Sequence, residues 1–144
     1  MIRQLLIPGL LVLLAAPGLA ETQDSAQPVP DCGLYTYRAE IVRVIDGDTI
    51  VADIDLGFNI WLRDEHLRLH DIDTPEMSTD EGKVIADEVR ARLEGKTLYI
   101  CTVKAKRSDA EATGSFGRYL AVIHQDGQNI NEWLLKSGRA VPYE

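Results

Sequence analysis

Tyr35–Leu56, YTYRAEIVRVIDGDTIVADIDL, holds two strands and the turn between them. Tyr35, Tyr37, Ala39 and Ile41 alternate with polar neighbours, and after the turn Ile50, Ala52, Ile54 and Leu56 alternate with mostly polar ones. Successive side chains on a strand face opposite ways, so each series marks one buried face. Ile41-Val42 interrupts the first alternation and predicts a bulge, or a strand covered on both sides. Asp46-Gly47 is a hairpin-type turn signal.

Toward the C-terminus, Leu67 and Leu69 alternate with Arg68 and His70, which predicts a third strand with the polar pair on the face opposite the leucines. Ser78-Thr79-Asp80-Glu81 has the spacing of a capping box, Ser78 with Glu81 three residues on. Ile85, Val89 and Leu93 follow at helical spacing and Gly95 is the stop. Thr97–Val103 is apolar on both parities, as a central strand would be, and Lys104–Gly117 is a polar loop. Tyr119–His124 reads as the fifth strand, ended by Asp126-Gly127. Asn131 is placed to cap a last helix running to Ser137, with Trp133 and Leu134 inward and Gly138 beyond its end. The expected fold is mainly β with helices: a five-stranded Greek-key barrel of the oligonucleotide/oligosaccharide-binding (OB) type, one helix between strands three and four, and a short C-terminal helix. An unrelated α+β sandwich would share this periodicity.

Toward the N-terminus, Met1–Ala20 has the layout of a secretory signal: Arg3, an apolar run, and Gly18-Leu19-Ala20 before the expected cleavage. Pro8-Gly9 and Pro17-Gly18 interrupt the run, leaving less than the ~20 residues that span a bilayer. Glu21–Asp31 reads as a flexible leader, and one domain is expected over 32–144, secreted or periplasmic, monomeric and without stable membrane association. The 144 residues, 45% hydrophobic and 26% charged, suit one globular domain. A net charge of -8 excludes a simple basic nucleic-acid coat protein, which needs a positive surface. It leaves room for an enzyme that handles phosphate at one local positive site, where a bound divalent cation adds charge.

Three segments carry candidate chemistry. In Val44–Ile50, VIDGDTI, two carboxylates flank a glycine that permits a tight turn, so both can face one hard cation. In Arg68–Glu76, RLHDIDTPE, an arginine on a strand lies a few residues from Asp73 and Glu76, with Pro75 fixing the exit. A guanidinium binds phosphate oxygens as a fork, and a carboxylate beside a metal can orient or deprotonate water. Gly114–Arg118, GSFGR, presents an arginine as the fifth strand begins. Each segment alone has a bland counterpart: a turn, a surface ion-pair cluster, a solvated arginine.

In this order and spacing the three resemble the staphylococcal nuclease (thermonuclease) family, from about Tyr35 to Tyr143 and including the INEWLLKSGRA ending. The resemblance implies a five-stranded barrel and Ca²⁺-dependent cleavage of DNA and RNA at the 5′ P–O bond, leaving 3′-phosphates. By position, Asp48 and Asp73 resemble the carboxylate metal ligands and Thr74 the residue lending its carbonyl. Arg68 and Arg118 resemble the guanidiniums that clamp the phosphate, and Glu76 the residue assigned to activate water. Asp46 would sit just outside the ligands. The chain departs from the pattern where Ser115 and Phe116 stand in place of a Lys-Tyr pair that contacts substrate phosphate; Lys104, Lys106 and Arg107 are candidates to compensate. The stacking tyrosine has no equivalent in register, Tyr143 being one position out, and the family's third helix is missing.

The alternative is a non-catalytic nuclease-like barrel module that binds nucleic acid or protein. A binding module has no need of the whole set Asp48, Asp73, Arg68, Glu76 and Arg118, and that set favours the enzyme. In an oxidising compartment, and with strands one and four adjacent in such a barrel, Cys32 and Cys101 are expected to form a disulfide; a buried free thiol at Cys101 is the other outcome.

Overall fold

A computed structural model describes residues 27–106 and 110–143. The expected signal Met1–Ala20, most of the leader, and Arg107 lie outside the described residues. The elements are β1 (Thr36–Val44), β2 (Thr49–Asp55), β3 (Trp61–Leu69), β4 (Ile72–Asp73), α1 (Asp80–Leu93), β5 (Thr97–Thr102), β6 (Tyr119–Gln125), β7 (Gln128–Asn129), α2 (Ile130–Lys136) and β8 (Val141–Pro142). Strands β3-β2-β1-β5-β6 lie side by side and antiparallel, and β6 returns to pair parallel with β3 from Leu67↔Tyr119 to Leu69↔Ala121. That last pairing closes a five-stranded mixed barrel, the expected OB-type architecture, and leaves these five strands no open edge at that seam.

The alternation in Tyr35–Leu56 becomes the barrel wall. Ala39, Ile41, Ile50, Ala52 and Ile54 point inward and are at most 3% exposed. The break at Ile41-Val42 is a bulge, where the β1–β2 register shifts between Ile41 and Arg43 and Val42 turns outward. Leu67, Leu69, Leu98, Ile100 and Ile123 complete the interior, joined by Ile85, Val89 and Leu93 of α1 and by Ile130 and Leu134 of α2. Each such side chain contributes about 1.5–3 kcal/mol by leaving water. Among the described residues, no helix is long and apolar enough to cross a membrane.

Both helix caps differ from the sequence expectation. Thr79, not Ser78, caps α1: its hydroxyl accepts from the Gly82 N–H and donates to the Glu76 carbonyl. Position three of the helix is therefore Gly82, and Glu81 cannot close a box. Asn129, not Asn131, caps α2 by accepting from the Glu132 N–H at 3.1 Å. Asn131 is buried inside the first turn, where its amide donates to the carbonyls of His70 and Ala121 and accepts from the Ile123 N–H.

Cys32 and Cys101 are joined, with Cα atoms 5.9 Å apart. Cys101 pairs in register with Thr36 at the start of β1, which brings the approach to β1 against β5. Ahead of the bridge, Gln27 donates to the Thr97 carbonyl of β5 at 2.8 Å.

Candidate active site

A cleft of about 560 Å³ opens at the end of the barrel where the β1–β2 turn, the end of β3, the chain from β4 to α1 and the loop before β6 meet. Asp48, Arg68, Asp73, Thr74, Glu76 and Arg118, separated by up to 70 positions in sequence, all line it. The closure of β6 on β3 is what brings Arg118 to Arg68, since Tyr119 and Leu67 are register partners.

Asp48 is its centre. The residue is 6% exposed, and its Oδ2 accepts from both the N–H and the hydroxyl of Thr74, at 2.8 and 2.9 Å. Oδ1 lies 2.8 Å from Arg68 Nη1 and accepts from the Thr49 hydroxyl at 3.3 Å. The Arg68 contact is an ion pair whose angle falls outside hydrogen-bond geometry. Burial pushes the Asp48 carboxyl up, against the Thr74 N–H and the Arg68 charge, which hold it down; neighbouring Asp46 adds to the rise. Asp46 itself accepts from the Asp48 N–H at 3.0 Å and so shapes the turn.

Arg68 ties the two acidic segments together. Its Nη2 donates to Asp73 Oδ1 at 2.7 Å, while Nη1 faces Asp48. The guanidinium is held in the cleft with 13% of its side chain exposed, whereas the Asp73 carboxylate is 52% exposed. Arg118 reaches the Asp48 carboxylate through one hydroxyl: Nη1 donates to Thr49 Oγ1 at 3.1 Å, and Thr49 donates on to Asp48. Its Nε donates to the Ser115 carbonyl. The chain Arg118–Thr49–Asp48–Arg68–Asp73 is thus one connected polar array.

Glu76 is placed by backbone packing. Gly82 of α1 sits so close to the Pro75–Glu76 chain that a Cβ there would lie 2.1 Å from the Glu76 carbonyl. Gly47 allows a similar approach: a Cβ would come 2.7 Å from Thr74 Oγ1. Gly47 therefore seats the two acidic segments against each other, and Gly82 seats α1 on the second.

Asp48, Asp73 and the Thr74 carbonyl offer oxygen only, a donor set that suits a hard divalent cation such as Ca²⁺ and not a soft one. His70, half-buried in the cleft wall, contacts Asp71 at 3.1 Å. Among the described residues, the one close group of three metal-binding side chains, Cys32, Cys101 and His124, lies elsewhere and has its sulfurs joined to each other.

Three participants are invisible in the sequence pattern. Thr49 had no signal beyond its place in DGDT. Asn131 had the signal of a cap, yet its amide donates to the His70 carbonyl and so braces the chain just before Asp71. Tyr143, out of register in sequence, lines the cleft because β8 pairs with β4: its N–H donates to the Asp71 carbonyl and its ring centre lies 5.7 Å from the Arg68 guanidinium. Lys106, Ser115 and Phe116 also line the cleft.

Fold and site together define an OB-type barrel with a cleft of carboxylates and paired arginines. The family model for staphylococcal nuclease homologues matches residues 66–144. A protein of Escherichia coli described as an uncharacterized endonuclease is 33% identical over 109 residues, covering 74% of this chain and 61% of its own length. The thermonuclease of Staphylococcus hyicus is 29% identical over 145 residues, covering 92% of this chain and 78% of its own. Endonuclease YhcR of Bacillus subtilis is 33% identical over 125 residues, which is 81% of this chain and 10% of that one. The chain belongs to the staphylococcal nuclease homologue family. It spans 61% of the length of the Escherichia coli relative.

Proposed function

We propose that this protein is a Ca²⁺-dependent endonuclease that hydrolyses phosphodiester bonds of DNA and RNA and leaves 3′-phosphates, acting outside the cell or in the periplasm. The observation that carries the reading is the array around Asp48, in which two arginines converge on one buried carboxylate from different parts of the chain. Relatives named thermonuclease and endonuclease support the same class.

Asp48 and Asp73, with the Thr74 carbonyl, would hold the cation. When bound it supplies Lewis acidity toward a phosphoryl oxygen and offsets the negative charge of the cleft. Arg68 is already oriented by two carboxylates, so a phosphate meets a fixed fork rather than a mobile chain. Arg118 brings a second guanidinium, and charge developing on the phosphoryl oxygens during attack is met by donors that need no rearrangement. Glu76, exposed at the cleft edge, takes the proton of the attacking water. Asp46 and Thr74 orient Asp48.

Mass spectrometry of products from a short single-stranded oligonucleotide tests the chemistry. Fragments carrying a 3′-phosphate are expected. Fragments ending in 3′-hydroxyl with 5′-phosphate would overturn the assignment, and an uncut oligonucleotide bound by the protein would favour the non-catalytic module instead.

A further inference from the structure

Phe116 is an exposed aromatic residue held in an unfavourable backbone conformation beside the candidate active site. Its side chain is 96% exposed, and its φ of 61° lies in the left-handed region that bulky residues avoid. Both features cost free energy, and its burial recovers none of it. Backbone strain of this kind points to function when a site adjoins it, and here one does. Phe116 lines the main cleft and also a second concavity of about 480 Å³, whose other walls include Ile45, Glu65 and His66. The two share Asp46, Thr49, Phe116 and Arg118, so they meet at Arg118 and Phe116. The Arg118 guanidinium lies 5.7 Å from the centre of the Phe116 ring.

Phe58 is an internal comparison. It is 99% exposed and also has a positive φ, 49°, but it sits at the β2–β3 tip and lines neither concavity. Exposure and strain alone therefore carry nothing; the location does. A phenyl ring beside a phosphate-facing guanidinium cannot donate a hydrogen bond to phosphate. It can present an apolar face to a planar base, and base–aromatic stacking tolerates any sequence.

We propose that Phe116 is a nucleobase-stacking platform and that the second concavity is a nucleotide subsite next to the one that receives the scissile phosphate. This deepens the nuclease reading and rests on it for the neighbouring site of the scissile phosphate. A base stacked on an exposed ring must be unpaired, so the subsite takes a flexible single strand. Glu65 and Asp46 in its walls disfavour a second tightly held phosphate there, which leaves stacking as its main attraction.

Fluorescence anisotropy tests this with two labelled 12-mers, oligodeoxythymidylate and an abasic strand of equal length. Binding is measured in Ca²⁺ in a Glu76→Gln background, with the probes checked for integrity after each titration. Phe116→Ala should weaken oligodeoxythymidylate binding roughly tenfold, Phe116→Trp should restore it, and Phe58→Ala should leave it unchanged. The abasic strand should bind alike to the Glu76→Gln parent and to the same protein carrying Phe116→Ala. Equal oligodeoxythymidylate affinity for these two proteins would overturn the proposal. So would the same loss on the abasic strand, which would mean that the change acts through Arg118, or no binding of oligodeoxythymidylate at all. If the pattern holds while the unmodified chain cuts nothing in Ca²⁺, the stacking site stands and the nuclease reading falls.

Discussion

Arg118 enters the cleft on the hydroxyl of Thr49, and through that hydroxyl it is linked to the same carboxylate that faces Arg68. It is the cleaner of the two arginines to test. Removing Arg68 leaves the buried Asp48 without its ion partner and would harm folding as well as chemistry. Arg118 is bound to one hydroxyl and one loop carbonyl, so Arg118→Ala should fold normally. Loss of one donor to developing oxyanion charge typically costs about 10²–10³ in rate, and single-turnover assays at saturating Ca²⁺ should show a fall of that size. A rate within a few-fold of the unmodified chain would remove Arg118 from the mechanism. At this scale each segment alone had a bland counterpart, and it was the three together that pointed to Asp48, Arg68, Asp73, Glu76 and Arg118, which the fold brings to one cleft. It was not legible for Thr49 or Tyr143, whose parts depend on what the fold places opposite them.

Among the elements, α1 does more than cover the barrel. Its stripe of Ile85, Val89 and Leu93 was readable from spacing, and so was its end at Gly95. Its start was not, because Ser78 and Thr79 are both good caps and the choice is made by how the chain leaves Pro75. Gly82, one turn in, is what lets the helix rest on the Glu76 backbone. Gly82→Ala should therefore do the opposite of the usual helix-stabilising exchange. Its Cβ would meet backbone, which has no rotamer to yield, so the loss should be about 1–3 kcal/mol in denaturant melts. Activity should fall further than stability, since Glu76 must shift. Unchanged or raised stability would show that the close approach is not there. The start of α2 follows the same logic: Asn129 and Asn131 both suit a cap, and burial against His70 and Ala121 decides which one braces the barrel.

Over the whole molecule, the order of five strands and two helices pointed to a barrel but was shared with an α+β sandwich, and the closure of β6 on β3, not written in either strand alone, is what decides between them. The short pairs β4–β8 and β6–β7 are two residues long, too brief for any periodicity. The Cys32–Cys101 bridge spans 69 positions and ties the approach to β1 onto β5. By chain-entropy reasoning it adds up to roughly 4 kcal/mol by limiting the unfolded chain. Cys32→Ala/Cys101→Ala should melt well below the bridged protein and keep the same cleft chemistry, because both sulfurs lie outside the cleft. An unchanged melting temperature would contradict the bridge.

The proposed activity requires a cation and two arginines to make one end of an acidic barrel attractive to phosphate. Digestion of single-stranded DNA by the purified protein, in Ca²⁺ and then in excess chelator, tests it most directly. Cleavage is expected in Ca²⁺, with none in chelator and recovery when Ca²⁺ is restored. Equal cleavage in both, or intact DNA in both, would contradict it.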